Sequence, residues 1–197
     1  MKLVFATHNR HKLEEVRAAL GPGFELMTPA DCGLTEEIPE DQTTLEGNAA
    51  QKAQFIHERT GLNCFADDTG LEVAALGGEP GVYSARYAGP ACNSDDNINL
   101  LLARLEGKAD RSARFRTVIS LLIDGREYQF EGVVEGEILS SRSAGSEGFG
   151  YDPVFRPLGY DQTFAQMPME EKNKISHRGR AVAELAAFLT AYTGAEH

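Results

Sequence analysis

The first twenty residues change their hydrophobic period once. Residues 3–6 are continuously apolar, residues 7–12 are polar, and Leu13, Val16, Ala19 and Leu20 then recur at helical spacing. That order predicts a strand, a polar turn and an amphipathic helix, the opening of an α/β fold. Gly21, Pro22 and Gly23 stop the helix, and residues 24–28 suit a second short strand. The alternation continues. Leu45, Ala49, Ala53 and Ile56 mark a helix over 44–60 that Gly61 terminates, and residues 63–67 read as a strand. Asn93 or Ser94 caps a third helix through Ile98, Leu101, Leu102 and Leu105. Residues 113–124 have the content of a long strand, and Asp124-Gly125 is a hairpin signal into 126–134. Val182, Leu185, Ala186 and Leu189 define a closing helix ended by Gly194. The expectation is one α/β unit over residues 1–197, with the hairpin near 113–134 forming part of a smaller second lobe.

Charge narrows the partners. The 197 residues carry 19 Lys and Arg against 30 Asp and Glu, a net charge of -11. Binding to nucleic-acid polymers needs clustered cations to neutralise phosphates, so no nucleic acid is expected as a partner. With 42% hydrophobic residues the chain has apolar surface enough for a core. The apolar run at residues 3–6 is too short for a signal-peptide core, and no later run approaches the roughly 18 residues of a span. A cytoplasmic protein without membrane contact is therefore expected. Cys32, Cys64 and Cys92 are odd in number and far apart, which suits free thiols, with Cys64 a small core residue.

Four segments have the residue types that chemistry requires. At the first strand-to-helix turn stand Thr7, His8, Asn9, Arg10, His11 and Lys12. Backbone N–H groups and the positive end of a helix dipole suit phosphate there, with Lys12 adding a cation, although Thr7 and Asn9 equally suit plain capping. Asp67 and Asp68 close an apolar run before Thr69 and Gly70. Carboxylates at a strand end reach the rim where open α/β sheets place ligands, and they suit a hard cation or the activation of water. Adjacent strand residues point to opposite faces, so one aspartate faces a given site and the other has a different task. An Asx turn with Gly70 at positive φ is the structural alternative. The acidic run Glu36, Glu37, Glu40 and Asp41 precedes a helix bearing Asn48 and Lys52 on one face, which suits a metal shared with an aspartate. Finally Phe149, Gly150, Tyr151 and Asp152 lie on a glycine-rich loop, followed by Lys172, Lys174, His177, Arg178 and Arg180, with four cations and no acid from Lys172 to Arg180. Aromatic rings on such a loop suit stacking on a planar base, while His177 and Arg178 suit its edge or phosphate.

In this order the segments resemble the inosine/xanthosine triphosphate pyrophosphatase family nearly end to end. The resemblance rests on residues 6–12, Pro39-Glu-Asp41, Gly47-Asn-Ala49 with Lys52, residues 66–71, residues 80–89, residues 148–153 and residues 174–178. Gly47 departs from a glutamate common in the family. The resemblance implies a mixed central β-sheet flanked by helices, two lobes with an active-site cleft between them, and a homodimer. It implies that Asp68 is the general base and that Glu40 and Asp68 hold Mg²⁺. Residues Thr7 to Lys12 and Lys52 would bind triphosphate, Thr69 would touch substrate, and Phe149, Gly150, Tyr151, Asp152, Lys172, His177 and Arg178 would surround base and sugar. The implied reaction converts ITP, dITP or XTP, small-molecule purine nucleoside triphosphates, to monophosphate and pyrophosphate. A pyrophosphatase for other nucleotides and a non-hydrolysing nucleotide sensor are the alternatives.

Overall fold

The structure is a computed structural model and describes residues 1–194. Residues 195–197, the end of the expected 1–197 unit, lie outside it. The first strand, β1 (Lys2–Phe5), leads through the polar turn to α1 (Arg10–Leu20) and β2 (Glu25–Met27). The second helix, α2 (Leu45–Thr60), is followed by β3 (Cys64–Val73), β4 (Pro80–Gly81) and α3 (Ser94–Leu105). A long hairpin of β5 (Ser112–Ile123) and β6 (Arg126–Ile138) comes next. Then follow β7 (Phe155–Pro157), α4 (Met169–Ile175) and α5 (His177–Gly194).

Among the described residues these strands form a mixed sheet in the order β2-β1-β3-β5-β6-β7, with β4 paired to β3. Parallel pairing joins β1 to both β2 and β3, with Val4 beside Met27 and Cys64. Antiparallel pairing joins β3 to β4 and β6 to β7. The fold class is thus the α/β arrangement with a mixed sheet that was expected.

Local chemistry explains the element ends. The Asn9 side chain accepts from the Lys12 N–H, Thr44 from Gly47 and Asn93 from Asp96, each capping the helix that follows. Gly61 closes α2 in the left-handed conformation. Asp124 and Gly125 have φ of 50° and 75°, the two positive values that a tight I′-type hairpin turn needs.

Two differences from the sequence reading matter. The strand expected to stop at residue 67 continues to Val73, because Leu71 pairs with Gly81 and Glu72 with Pro80 on β4. Asp-Asp-Thr-Gly has low strand propensity, and the added partner strand overrides it. Gly70 is not among the positive-φ glycines, so no Asx turn forms. The short β4, β7 and α4 were also not anticipated.

The chain divides into two compact units. Among the described residues the first comprises 1–68, 117–132 and 178–194, the second 69–116 and 133–177. The hairpin is thus shared, its tip belonging to the first unit. In the first unit the sheet faces carry separate cores. Leu3, Phe5 and Phe65 pack with Val16 and Leu20 of α1 and with Val182, Leu185 and Leu189 of α5. Val4, Cys64 and Ala66 pack with Ala53 and Ile56 of α2. Strand alternation creates this division: odd residues of β3 face α1 and α5, even residues face α2. Burial pushes the Cys64 thiol up to about 12, so it is an inert core group. In the second unit Phe115, Phe155 and Phe164 join Ile98, Leu101 and Leu105 of α3.

Candidate active site

The parity that divides the core also separates the two aspartates. Asp67 continues the odd face of Phe65 and meets the helices that cover it. Its Oδ1 accepts from Lys12 Nζ of α1 at 3.1 Å and its Oδ2 from Arg178 Nε of α5 at 3.1 Å. Arg178 also donates to Glu15 of α1. Glu15, Asp67 and Arg178 are each at most 4% exposed. Burial opposes ionisation of Asp67, but Lys12 and Arg178 outweigh it and hold the carboxyl well below the usual carboxylate range. Burial in turn lowers Lys12, against the pull of Asp67.

Asp68 continues the even face of Cys64 and Ala66 and meets α2. Its Oδ2 accepts from Asn48 Nδ2 at 3.0 Å, and its Oδ1 lies 4.0 Å from Lys52 Nζ. Lys52 donates to Glu40 at 2.9 Å. The Glu40 and Asp68 carboxyl groups flank Lys52 and perturb one another's ionisation. Burial pushes Asp68 up to about 7 despite Lys52 and Lys12, with the Glu40 charge adding to the rise. Burial raises Glu40, but Lys52 and its other neighbours, Lys12 among them, together outweigh that and lower it. Lys52 is raised by Asp68 and Glu40 against its own burial.

At the first turn Thr7 Oγ1 accepts from the Asn9 N–H at 3.0 Å. His8, Arg10 and His11 are exposed there. His8 pairs with the Glu36 carbonyl and Arg10 with Glu14. Thus Lys12, Glu40, Lys52, Asp67 and Asp68 converge as one charged cluster. Among the described residues no group of three or more His, Cys, Asp or Glu side chains is arranged to hold a metal ion.

The second unit assembles the aromatic loop. Asp152 Oδ2 accepts from the Phe149 N–H at 3.0 Å and from Lys172 Nζ at 2.7 Å. Lys172 Nζ lies 5.4 Å from the Phe149 ring centre and 5.5 Å from that of Phe164. Tyr151 donates to the Ser84 carbonyl at 2.6 Å. Gly148, at φ +71°, lets the loop close on this pair, since a Cβ there would sit 2.1 Å from Asp152 Oδ2. Gly150 also has positive φ. The buried His177 ring stacks on Phe115 at 4.6 Å. Thr69 follows Asp68 in β3, half-buried.

Sequence reading missed the ionic roles of Glu15 and Asp67 and the contact of Asn48 with Asp68. Glu15 was visible as an acid among the inward-facing residues of α1, beside Val16 and one turn after Lys12. Arg178, which suits a base edge or phosphate, has its guanidinium between the Glu15 and Asp67 carboxylates.

An α/β protein with a mixed sheet and a carboxylate-lysine cluster on its central strand is the class that fold and site define. Residues 3–188 match the Ham1 family, and the chain belongs to it. A dITP/XTP pyrophosphatase from Flavobacterium johnsoniae is 51% identical over 97% of this chain and 99% of its own. One from Porphyromonas gingivalis is 53% identical over 95% and 97%. The Ham1 protein structure from Staphylococcus aureus superimposes with a TM-score of 0.87 at 38% identity, covering 98% of this chain and 100% of its own.

Proposed function

We propose that this protein hydrolyses deaminated purine nucleoside triphosphates, ITP, dITP and XTP, to the monophosphate and pyrophosphate, clearing them from the nucleotide pool. The observation that carries the reading is the division of labour between two adjacent aspartates. Asp67 is held ionised by Lys12 and Arg178, whereas Asp68 stands with Glu40 beside Lys52 and accepts from Asn48. Relatives matched across nearly their whole length are named dITP/XTP pyrophosphatases.

Glu40 and Asp68 would hold Mg²⁺. They fit it: Mg²⁺ takes one or two carboxylates and completes its shell with water and phosphate oxygens, and Glu40 and Asp68 bring two carboxylates to the same lysine. When bound, the ion supplies positive charge against the triphosphate and polarises it. Lys12, Lys52 and the start of α1, with Thr7 through His11, would bind the phosphates, offsetting negative charge that grows as the anhydride bond breaks. Asp68 would take the proton of the attacking water. Thr69 would contact substrate. Phe149, Gly150, Tyr151, Asp152, Lys172 and His177 would enclose base and sugar. Arg178, occupied by Glu15 and Asp67, would reach a base only by exchanging a partner.

Selection would rest on the base edge. A donor facing position 6 favours a carbonyl over the amino group of adenine, and a donor facing position 2 rejects guanine; an unpaired buried polar group makes such rejection strong. We also infer one catalytic domain, a cytoplasmic location and a homodimer, from the family resemblance; a sedimentation mass of a single chain would overturn the last.

A substrate panel tests the reading. Pyrophosphate release from ITP, dITP and XTP should exceed that from ATP, GTP, CTP, UTP and dTTP, and chelation of Mg²⁺ should abolish it. Faster release from CTP or UTP, or release of phosphate in place of pyrophosphate, would overturn the proposed substrate class.

A further inference from the structure

The loop that carries Glu40 has no regular structure, yet one face of α2 holds it residue by residue. Lys52 binds the Glu40 carboxylate at 2.9 Å, and the Gln51 side chain accepts from the Asp41 N–H at 3.1 Å and donates to its carboxylate at 2.7 Å. Asn48, one helical turn earlier, accepts from the Gln42 N–H at 2.8 Å. Asn48 is fully buried, and its amide can be oriented in one way only. A backbone N–H only donates, so Oδ1 must face Gln42, which turns Nδ2 onto Asp68 Oδ2 at 3.0 Å. Gly47 contributes by absence: a Cβ there would lie 3.0 Å from both Gln42 Cβ and Thr44 Oγ1, so glycine lets the loop seat on the helix.

We propose that Asn48 is a positioning residue that joins the Glu40 loop to the Asp68 carboxylate, so that the two cation-binding oxygens are set at a fixed separation. This rests on the reading that Glu40 and Asp68 hold a divalent ion. A buried amide spanning a loop backbone and a carboxylate has more than packing to do, because an apolar side chain of its size would leave both partners unsatisfied. Loss of hydrogen-bonding support behind metal-binding carboxylates typically costs 10- to 100-fold in metal affinity or activity.

The test measures Mn²⁺ alone, binding to the whole protein by calorimetry, together with thermal melting and the Mg²⁺ concentration for half-maximal pyrophosphate release from ITP. Asn48→Ala should weaken Mn²⁺ binding about 10- to 100-fold and raise the Mg²⁺ requirement by the same factor, with release recovering at high Mg²⁺. Asn48→Ser, which keeps a hydroxyl in the buried space, takes its place if the alanine variant does not fold. Gln54→Ala, on the exposed face of α2, should change neither quantity. A lower melting point with unchanged Mn²⁺ affinity would overturn the proposal and leave Asn48 a core amide. A parent protein that hydrolyses ITP but binds no Mn²⁺ would overturn it too, whereas Mn²⁺ binding weakened in the variant without ITP turnover in the parent would support it and reject the substrate.

Discussion

An Asp68→Asn variant at saturating Mg²⁺ is expected to release pyrophosphate from ITP about 10²- to 10⁴-fold more slowly than the parent protein, the range for loss of a general base. ITP binding, read by calorimetry, should change far less. The substitution is close to isosteric and keeps an acceptor for Asn48 Nδ2. It removes the carboxylate proposed to take up the proton of water, a task Asp67 cannot assume because Lys12 and Arg178 pin it as an anion. Unchanged turnover would reject the assignment of Asp68 as base.

The second large effect is on stability. Asp67→Ala leaves the buried Arg178 and the part-buried Lys12 with Glu15 as the one remaining acid of the four-residue ionic chain. Breaking a buried ion pair by removing one partner costs about 3 to 5 kcal/mol, because the other charge is stranded in low dielectric. For a chain of this size that lowers the melting midpoint by roughly 6 to 20 °C. A midpoint within a degree or two of the parent would show that water replaces the carboxylate and that the chain is not tightly coupled. The same group predicts the acid limb. Asp67 titrates lower folded than unfolded, so its contribution is complete above the unfolded value near 3.8 and is lost as pH falls below it. Melting curves from pH 6 to 3 should show the parent losing stability toward acid more steeply than Asp67→Ala.

Much of this site is legible in the residues alone. Lys12, Glu40, Lys52 and the aspartates stand out because charged groups beside apolar runs and at element ends are where ligands are met. What the residues did not show are contacts that depend on partners from elsewhere in the chain. The Asp-Asp-Thr-Gly stretch resembles a strand end, and only pairing with β4 carries the strand through to Val73. Arg178 resembles a free cation at a helix start, and only packing of α5 against α1 and β3 commits it to Glu15 and Asp67.

By itself the sequence determined the order of strands and helices, their caps, the hairpin turn and the presence of two adjacent carboxylates on opposite faces of one strand. These are local properties, set by side-chain period and by backbone conformations that few residues adopt. Alternation did not determine which partners each aspartate meets, because it assigns opposite faces without saying what covers them. The tertiary structure decided that. It lays α1 and α5 on one face, bringing two cations that lock Asp67 as an anion, and α2 on the other, bringing Asn48 and Lys52 to Asp68 beside Glu40. Two neighbours of identical chemistry thus acquire ionisation ranges on opposite sides of the ordinary one, because burial is similar for both and the charges around them are not.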